Sequence, residues 1–280
     1  MEMIKVRATN NDAGRTIYKF LIKFLDNLPV SKIEKIFRKK DLKINGSREV
    51  EKKYILNEND EIVIYGISNA RKSSKEVKNI SIDFAVIYED ENILIVNKKE
   101  NQAVHSENNS LDEQVLKYLK FEKTDSFIPS SIGRLDKTTS GIMVYAKNYS
   151  TLREMKNQQA NFEKIYTFKN SMPEKEITVE YYFLKDEANQ KVMVHPKFGK
   201  KGKTRFFFEN KKKYAQIYTG RKHQIRASLS KLGFPIDGDR KYGGKRATRV
   251  YLHATRIKFA GLKKELDYLN DQEFISLPKW

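Results

Sequence analysis

One carboxylate of this chain stands where it could take part in a reaction, at the start of an apolar, strand-like run. Asp136 lies in SIGRLDKTTSGIMVYAKN, residues 131–148, between Arg134 and Lys137. A neighbouring arginine favours the charged form of an aspartate, which can then act as a nucleophile or stabilise a developing positive charge. The ordinary alternative is a turn cap, or a structural ion pair with Arg134.

The surroundings of Asp136 exclude several familiar chemistries. A glycoside hydrolase needs a second carboxylate in partnership with the first. A phosphate-binding loop spaces its glycines differently from Gly133 and Gly141. The chain has no cysteine, which excludes disulfides, thiol catalysis and cysteine-ligated zinc. The four histidines lie far apart in the sequence and show no metal-ligand spacing, so we expect no metal site.

The charge balance points to a polyanionic partner. Lysine and arginine number 55 against 36 acidic residues, which gives a net charge of +19. An excess of this size is typical of proteins that bind nucleic acid. The alternative is a lysine-rich proteome, in which the excess carries no functional meaning.

Length and hydropathy indicate a globular protein of one large domain or two unequal ones, with 280 residues of which 39% are hydrophobic. No apolar run approaches the ~18 to 20 residues of a membrane helix, and the first residues lack the apolar core of a signal peptide. We therefore expect a cytoplasmic protein.

Residues 1–66 predict a small domain. A helix with an apolar face is followed by a second helix in SKIEKIFRKK, where Ser31 and Glu34 have capping-box spacing. The Asn45-Gly46 pair predicts a tight turn, and EIVIYG a closing strand. The outer side and end of the second helix carry five cations, Lys32, Lys35, Arg38, Lys39 and Lys40. These cations suit contact with a nucleic-acid backbone; a solvated helix face is the alternative.

The rest of the chain predicts a linker and a larger domain. Residues 67–80 lack periodicity and have a linker composition. Residues 81–280 are strand-rich with inserted helices, which is typical of an α+β domain with a mixed or antiparallel sheet. Ser110 and Glu113 form a second capping-box pattern. In TGRKHQIR, residues 219–226, a predicted helix places Lys222, Ile225 and Arg226 on a common side.

Four motifs in this order resemble the RluA family of RNA pseudouridine synthases. They are ILIVNKKENQAVHS, RLDKTTSG, TGRKHQIR and YLHATRIKF, and the resemblance covers roughly residues 85–260. Roughly residues 13–66, from GRTIYKFLIKFLDNLPV to LKINGSREV, resemble the small RNA-binding module first seen in a ribosomal small-subunit protein. That module frequently accompanies this family.

The resemblance implies an isomerase that converts selected uridines of structured RNA, most simply 23S ribosomal RNA, into pseudouridine. The reaction breaks the N-glycosidic bond, turns the freed uracil and joins its C5 to the ribose C1′, so it needs no second hydrolytic carboxylate and no cofactor. Asp136 becomes the catalytic aspartate and Arg226 its ion-pair partner. Tyr166 becomes the active-site tyrosine, which stacks on uracil or helps to exchange the C5 proton. We expect the chain to act as a monomer.

Substrate contacts are implied in the same way. An enzyme that acts on a base in structured RNA must first evert the nucleotide, and Arg134 is expected to enter the space it leaves. Ile225 would pack on the uracil unless it belongs to the core, and Arg221 and Lys222 would bind substrate nearby. The small N-terminal module would present its cations to RNA, namely Arg15, Lys35, Arg38, Lys39 and Lys40.

The chain departs from the family pattern at two points. Gly133 stands where a histidine usually precedes Arg-Leu-Asp, and Lys99 stands where a proline commonly follows the first motif's Asn-Lys. Two other functions stay open: a non-catalytic RNA-binding factor that kept the fold, and a glycosylase that releases free uracil. Tyr166 and Arg226 also have ordinary structural readings, as a strand aromatic and a helix-surface cation.

Overall fold

A computed structural model of the chain describes residues 2–67, 80–187 and 191–280. Two compact units are present, the first from residues 1–80, 119–129 and 148–150, and the second from residues 81–118, 130–147 and 151–280. Residues 68–79 of the predicted linker lie outside the described residues. Among the described helices, none has the length and apolar character needed to cross a bilayer.

The first unit combines a three-stranded antiparallel sheet, in the order β1–β3–β2, with two helices. Its elements are β1 (Met3–Arg7), α1 (Ile17–Phe24), α2 (Val30–Arg38), β2 (Leu42–Ile44) and β3 (Glu61–Tyr65). Alternation along β3 buries Ile62 and Ile64 completely. They pack with the apolar faces of both helices, which include the buried Phe20 and Ile33.

One local prediction for this unit is confirmed and another is wrong. Asn45 and Gly46 both have positive φ, and the Ser47 N–H donates to the Ile44 carbonyl at 2.9 Å, so the tight turn is present. The predicted Ser31–Glu34 capping box is absent, because α2 already begins at Val30, with Pro29 as a cap that uses no side chain. Glu34 instead accepts a hydrogen bond from the Tyr18 hydroxyl at 2.8 Å.

Arg15 does not face solvent, contrary to its expected exposure to RNA. Its side chain is buried, and its Nη1 donates to the Ser126 carbonyl at 3.2 Å. The guanidinium also lies 3.9 Å from the centre of the Tyr149 ring, a favourable cation–π distance. Ser126 and Tyr149 belong to the two later segments of this unit, which the sequence pattern assigned to the second domain.

The second unit is built on an eleven-stranded, mostly antiparallel sheet. Along its main path the order is β10–β9–β11–β12–β8–β13–β7–β5–β4, and β14 and β6 pair with β13 and β7. The strands are β4 (Ala85–Glu89), β5 (Ile93–Lys98), β6 (Ser130–Ser131), β7 (Ser140–Ala146), β8 (Glu163–Phe168), β9 (Ile177–Asp186), β10 (Lys191–His195), β11 (Lys200–Glu209), β12 (Lys212–Ile217), β13 (Leu252–Lys258) and β14 (Glu273–Ile275). The helices are α3 (Leu111–Tyr118), α4 (Tyr149–Gln158), whose first two residues belong to the first unit, and α5 (Gln224–Lys231).

This architecture confirms the predicted α+β class, and one local prediction holds. Strands β4 and β5 form an antiparallel hairpin. At the start of α3 the Ser110 N–H donates to Glu113 Oε2 at 3.1 Å, and the Glu113 N–H donates to Ser110 Oγ at 3.4 Å. That reciprocal pair is the predicted capping box. Helix α5 begins at Gln224, two residues after Lys222, which the sequence pattern placed on it.

Strands β7 and β13 form a parallel pair inside the otherwise antiparallel sheet. Gly141 on β7 pairs with Ala254 and has a φ of +116°. A Cβ at position 141 would lie 2.3 Å from the Ala254 carbonyl oxygen, so only glycine fits there. This close approach fixes the start of β7, immediately after the loop that carries Asp136.

Candidate active site

The loop between β6 and β7 presents Asp136 to a cleft of the second unit with a volume of about 610 Å³. The Thr139 N–H donates to the Asp136 carbonyl at 3.0 Å and closes a turn around the aspartate. The carboxylate side chain keeps 17% of its surface accessible. It is therefore held firmly enough to be positioned and open enough to meet a ligand.

Arg226 joins Asp136 to a second, fully buried carboxylate. Its Nη1 donates to Asp136 Oδ2 at 3.1 Å, while Nε and Nη2 donate to the two oxygens of Asp239 at 2.7 and 2.9 Å. Arg226 and Asp239 are 6% and 1% exposed, so the guanidinium cannot swing into solvent. Burial alone would lower the pKa of Arg226, but the bonds and charges of Asp239 and Asp136 raise it. The predicted ion pair is present, and its cation is permanently charged.

His223 lies on the other side of the Asp136 carboxylate, with its Nε2 3.7 Å from Oδ1. The residue has a left-handed backbone, with a φ of 53°, and stands at the cap position of α5. Its Nδ1 is 2.9 Å from the Tyr242 hydroxyl, which also accepts from the Val192 N–H at 2.9 Å. Burial lowers the pKa of His223 to about 4, against the opposing effect of Asp136. At neutral pH the imidazole is therefore uncharged.

Tyr166 lines the same cleft as Asp136, from strand β8 in the middle of the sheet. Its backbone pairs with Ala254 on one side and with Ala215 on the other. Burial, and then the charge of Asp136, raise the pKa of the Tyr166 hydroxyl. The phenol is thus protonated at neutral pH, where it can donate a hydrogen bond or stack on a planar ligand.

A family model described as RNA pseudouridylate synthase matches residues 92–231, the stretch that contains Asp136, Tyr166 and Arg226. A Mycoplasma capricolum protein named uncharacterized RNA pseudouridine synthase is 35% identical over 300 residues, with 99% of each chain covered. The ribosomal large subunit pseudouridine synthase C of Vibrio parahaemolyticus is 32% identical over 275 residues, which cover 88% of this chain and 85% of that protein.

This chain belongs to the RNA pseudouridine synthase family. It is an isomerase, as the members of that family are. The solved structure of human RNA Pseudouridylate Synthase Domain Containing 1 has the same fold, with a TM-score of 0.55 at 17% identity over 71% of this chain and 92% of the human one.

Three of the other four predicted substrate contacts line the same cleft, and Ile225 does not. Arg134 is exposed at the cleft wall, and among the described residues it has no ion-pair partner. Arg221 also lines the cleft, and its Nε donates to the Lys201 carbonyl at 2.8 Å. Ile225 is 5% exposed and packs in the apolar core, although it also borders a recess of about 60 Å³ beside Asp136.

Lys222 does not lie on α5, contrary to the helical pattern. The Gln224 side chain accepts from the Arg221 N–H at 3.0 Å and from the Thr219 hydroxyl at 2.8 Å, and so stabilises a turn before the helix. His223 then interrupts the helical backbone. Lys222 is exposed on that turn at the cleft wall.

Three residues that the sequence pattern did not single out also belong to the candidate site: Asp239, Tyr242 and Lys98. Asp239 and Tyr242 belong to GDRKYGG, where Gly238 has a φ of 84° and a Cβ would collide with the Arg249 carbonyl. The sequence signal that could have identified Asp239 is an acidic residue inside a glycine-rich turn. In the described ranges no group of three His, Cys, Asp or Glu side chains could hold a metal.

Lys98 stabilises the backbone of the loop that carries Asp136. It is fully buried, and its Nζ donates to the carbonyls of Lys99, Gln102 and Lys137 at 2.7, 2.9 and 3.2 Å. Three acceptors match the three hydrogens of an ammonium group, and Lys137 is the residue after Asp136. Burial lowers the pKa of Lys98 to about 7, against the opposing effect of Asp136.

The buried Lys98 should make the synthase more stable at alkaline pH. Between about pH 7 and 10.5 the unfolded chain holds a proton on Lys98 that the folded protein has released, so unfolding becomes less favourable as pH rises. From pH 7.5 to 9 this contributes about 2 kcal/mol. Urea unfolding should therefore show a smaller rise for Lys98→Met than for wild type, and an equal rise in both proteins would contradict the buried-lysine account.

Proposed function

We propose that this synthase acts on uridines of large-subunit ribosomal RNA, with Asp136 as the catalytic carboxylate. One arrangement supports the assignment best: Asp136 meets an open cleft while Arg226, itself anchored by Asp239, holds one of its oxygens. The ribosomal substrate rests on the relatives named ribosomal large subunit pseudouridine synthase C.

The isomerisation requires few protein groups besides this arrangement of Asp136, Arg226 and Asp239. The glycosidic bond from C1′ to N1 breaks, the uracil turns, and C5 bonds to C1′, while C5 loses its hydrogen and N1 gains one. No water is consumed and no group leaves, so one carboxylate suffices where a hydrolase would need two. Tyr166 lines the same cleft as a neutral phenol, suited to stack on the turning base and to donate a hydrogen bond.

Access for the target uridine is the role proposed for Arg134. A base inside structured RNA has to be everted at a cost of a few kcal/mol. Arg134 stands two residues before Asp136, is exposed and has no ion-pair partner in the part of the chain that the structure describes. Its guanidinium is therefore free to enter the space that the nucleotide leaves. Arg221 and Lys222 line the cleft and would contact the RNA beside it.

The first unit supplies RNA affinity in this proposal. Lys35, Arg38 and Lys39 are exposed on and just after α2, and no ion pair involves them within the described ranges. Lys40 is also exposed but pairs with Glu49 at 2.7 Å. Arg15 is excluded from this RNA-facing set because it is buried.

The catalytic assignment is tested by Asp136→Asn, which removes the charge at nearly constant shape. Tritium release from C5-tritiated large-subunit ribosomal RNA should fall at least roughly a thousandfold, the scale expected when a central catalytic group is lost. Asp237→Asn, which replaces an acid paired with Lys245, should keep the wild-type rate. An inert wild type would favour a binding factor, and free uracil a glycosylase; a fully active Asp136→Asn would remove the carboxylate from the mechanism.

The proposed RNA face of the first unit is tested by Lys35→Gln, Arg38→Gln and Lys39→Gln together. RNA affinity should fall, and the slope of log K against log salt should flatten by about 2 to 3, because three phosphate contacts are lost. Lys5→Gln serves as the control, since Lys5 is paired with Glu61 at 2.9 Å. An unchanged slope in the triple variant, measured by filter binding, would assign these cations to solubility alone.

A further inference from the structure

Lys164 is a cation inside the cleft that the catalytic assignment leaves unused. It lies on β8 two residues before Tyr166, so both side chains point to the same face of the sheet, about 7 Å apart along the strand. Both residues line the cleft that contains Asp136. A phosphate bound at Lys164 and a base held at Tyr166 would thus be close enough to belong to one nucleotide.

The environment of Lys164 lacks a counterion. The side chain is half-buried, and its Nζ donates to the Gln159 carbonyl at 2.6 Å. Across the described residues no carboxylate forms a salt bridge with it, and burial alone lowers its pKa. An ammonium group has three hydrogens, so two remain available.

Arg256 shows the contrast within the same cleft. Its guanidinium lies 3.8 Å from Glu209 and 3.5 Å from Glu273, so acids already balance its charge. A half-buried cation without such balance costs stability. An anion that binds there would offset this loss of stability. Residues kept for function often lower the stability of the free protein in this way.

From this geometry we propose, building on the function proposed above, that Lys164 binds a phosphate group attached to the everted uridine. The ligand class is a uridine nucleotide, bound with its base at Tyr166 and a phosphate oxygen at Nζ. A charge-assisted hydrogen bond of this kind strengthens binding by about tenfold or more. The residue would fix the position of the sugar–phosphate backbone while the base turns.

A structural role for Lys164 is the competing explanation. The Gln159 carbonyl follows the end of α4, where a lysine can stabilise the last carbonyls of a helix. The two roles differ in their effect on stability. Loss of a cap would lower the melting temperature, whereas removal of an unbalanced half-buried cation would leave it unchanged or raise it.

The experiment compares the binding of uridine with that of uridine 5′-monophosphate and uridine 3′-monophosphate, followed by NMR titration. Wild type should bind one monophosphate about tenfold more tightly than uridine. Lys164→Gln should lose this preference without a lower melting temperature, and Lys164→Arg should keep most of it. Lys258→Gln removes the same charge on β13 from a lysine paired with Asp271 at 3.0 Å, and should keep the preference in full.

Several outcomes would overturn the proposal. The first is a wild type that binds neither monophosphate more tightly than uridine. The second is a Lys164→Gln variant that keeps the preference. The third is a Lys164→Gln variant whose affinities for uridine and for the monophosphate fall equally and whose melting temperature also falls. The titration needs no catalysis and no ribosomal RNA. If tritium release from ribosomal RNA fails while the phosphate preference stands, the proposed substrate is wrong and the phosphate site is not.

Discussion

A single buried guanidinium shared by two carboxylates organises the cleft region of the second unit. Arg226 donates two hydrogen bonds to Asp239 and one to Asp136. Asp239 is nearly inaccessible, so it serves as an anchor, whereas Asp136 reaches the cleft. Because a bidentate pair fixes the plane of a guanidinium, the third bond has a fixed direction. The position of Asp136 is thereby set by Arg226 and Asp239, neither of which lines the main cleft.

The rest of the second unit brings these distant parts of the chain together. Gly141 permits the close parallel approach of β7 to β13, which fixes the end of the Asp136 loop. Lys98 holds the same loop through the carbonyl of Lys137. His223 is neutral and therefore leaves Arg226 as the main positive charge beside Asp136. The result is an open carboxylate with a rigid support, suited to a reaction that depends on positioning and charge.

Much of this could be read from the sequence, for reasons that differ between residues. The Ser110–Glu113 cap and the Asn45-Gly46 turn are local, and both are present. The Asp136–Arg226 pair came from ordered motifs and not from spacing. Asp239 and Lys98 were missed because their roles arise only when remote backbone segments meet. Arg15 was expected at the surface, but it is buried against Ser126 and Tyr149. Both lie more than a hundred positions away, so the local sequence does not reveal these contacts.

The most direct test of the shared guanidinium is the single-turnover rate of pseudouridine formation by Asp239→Asn at saturating RNA. This variant keeps the shape of the anchor but weakens its hold on Arg226, at a residue that does not line the cleft. The rate should fall by about tenfold to a hundredfold, the effect of a small misplacement of a catalytic group, while RNA affinity stays within about twofold. A folded Asp239→Asn protein that reacts at the full wild-type rate would show that Asp136 does not depend on this anchor.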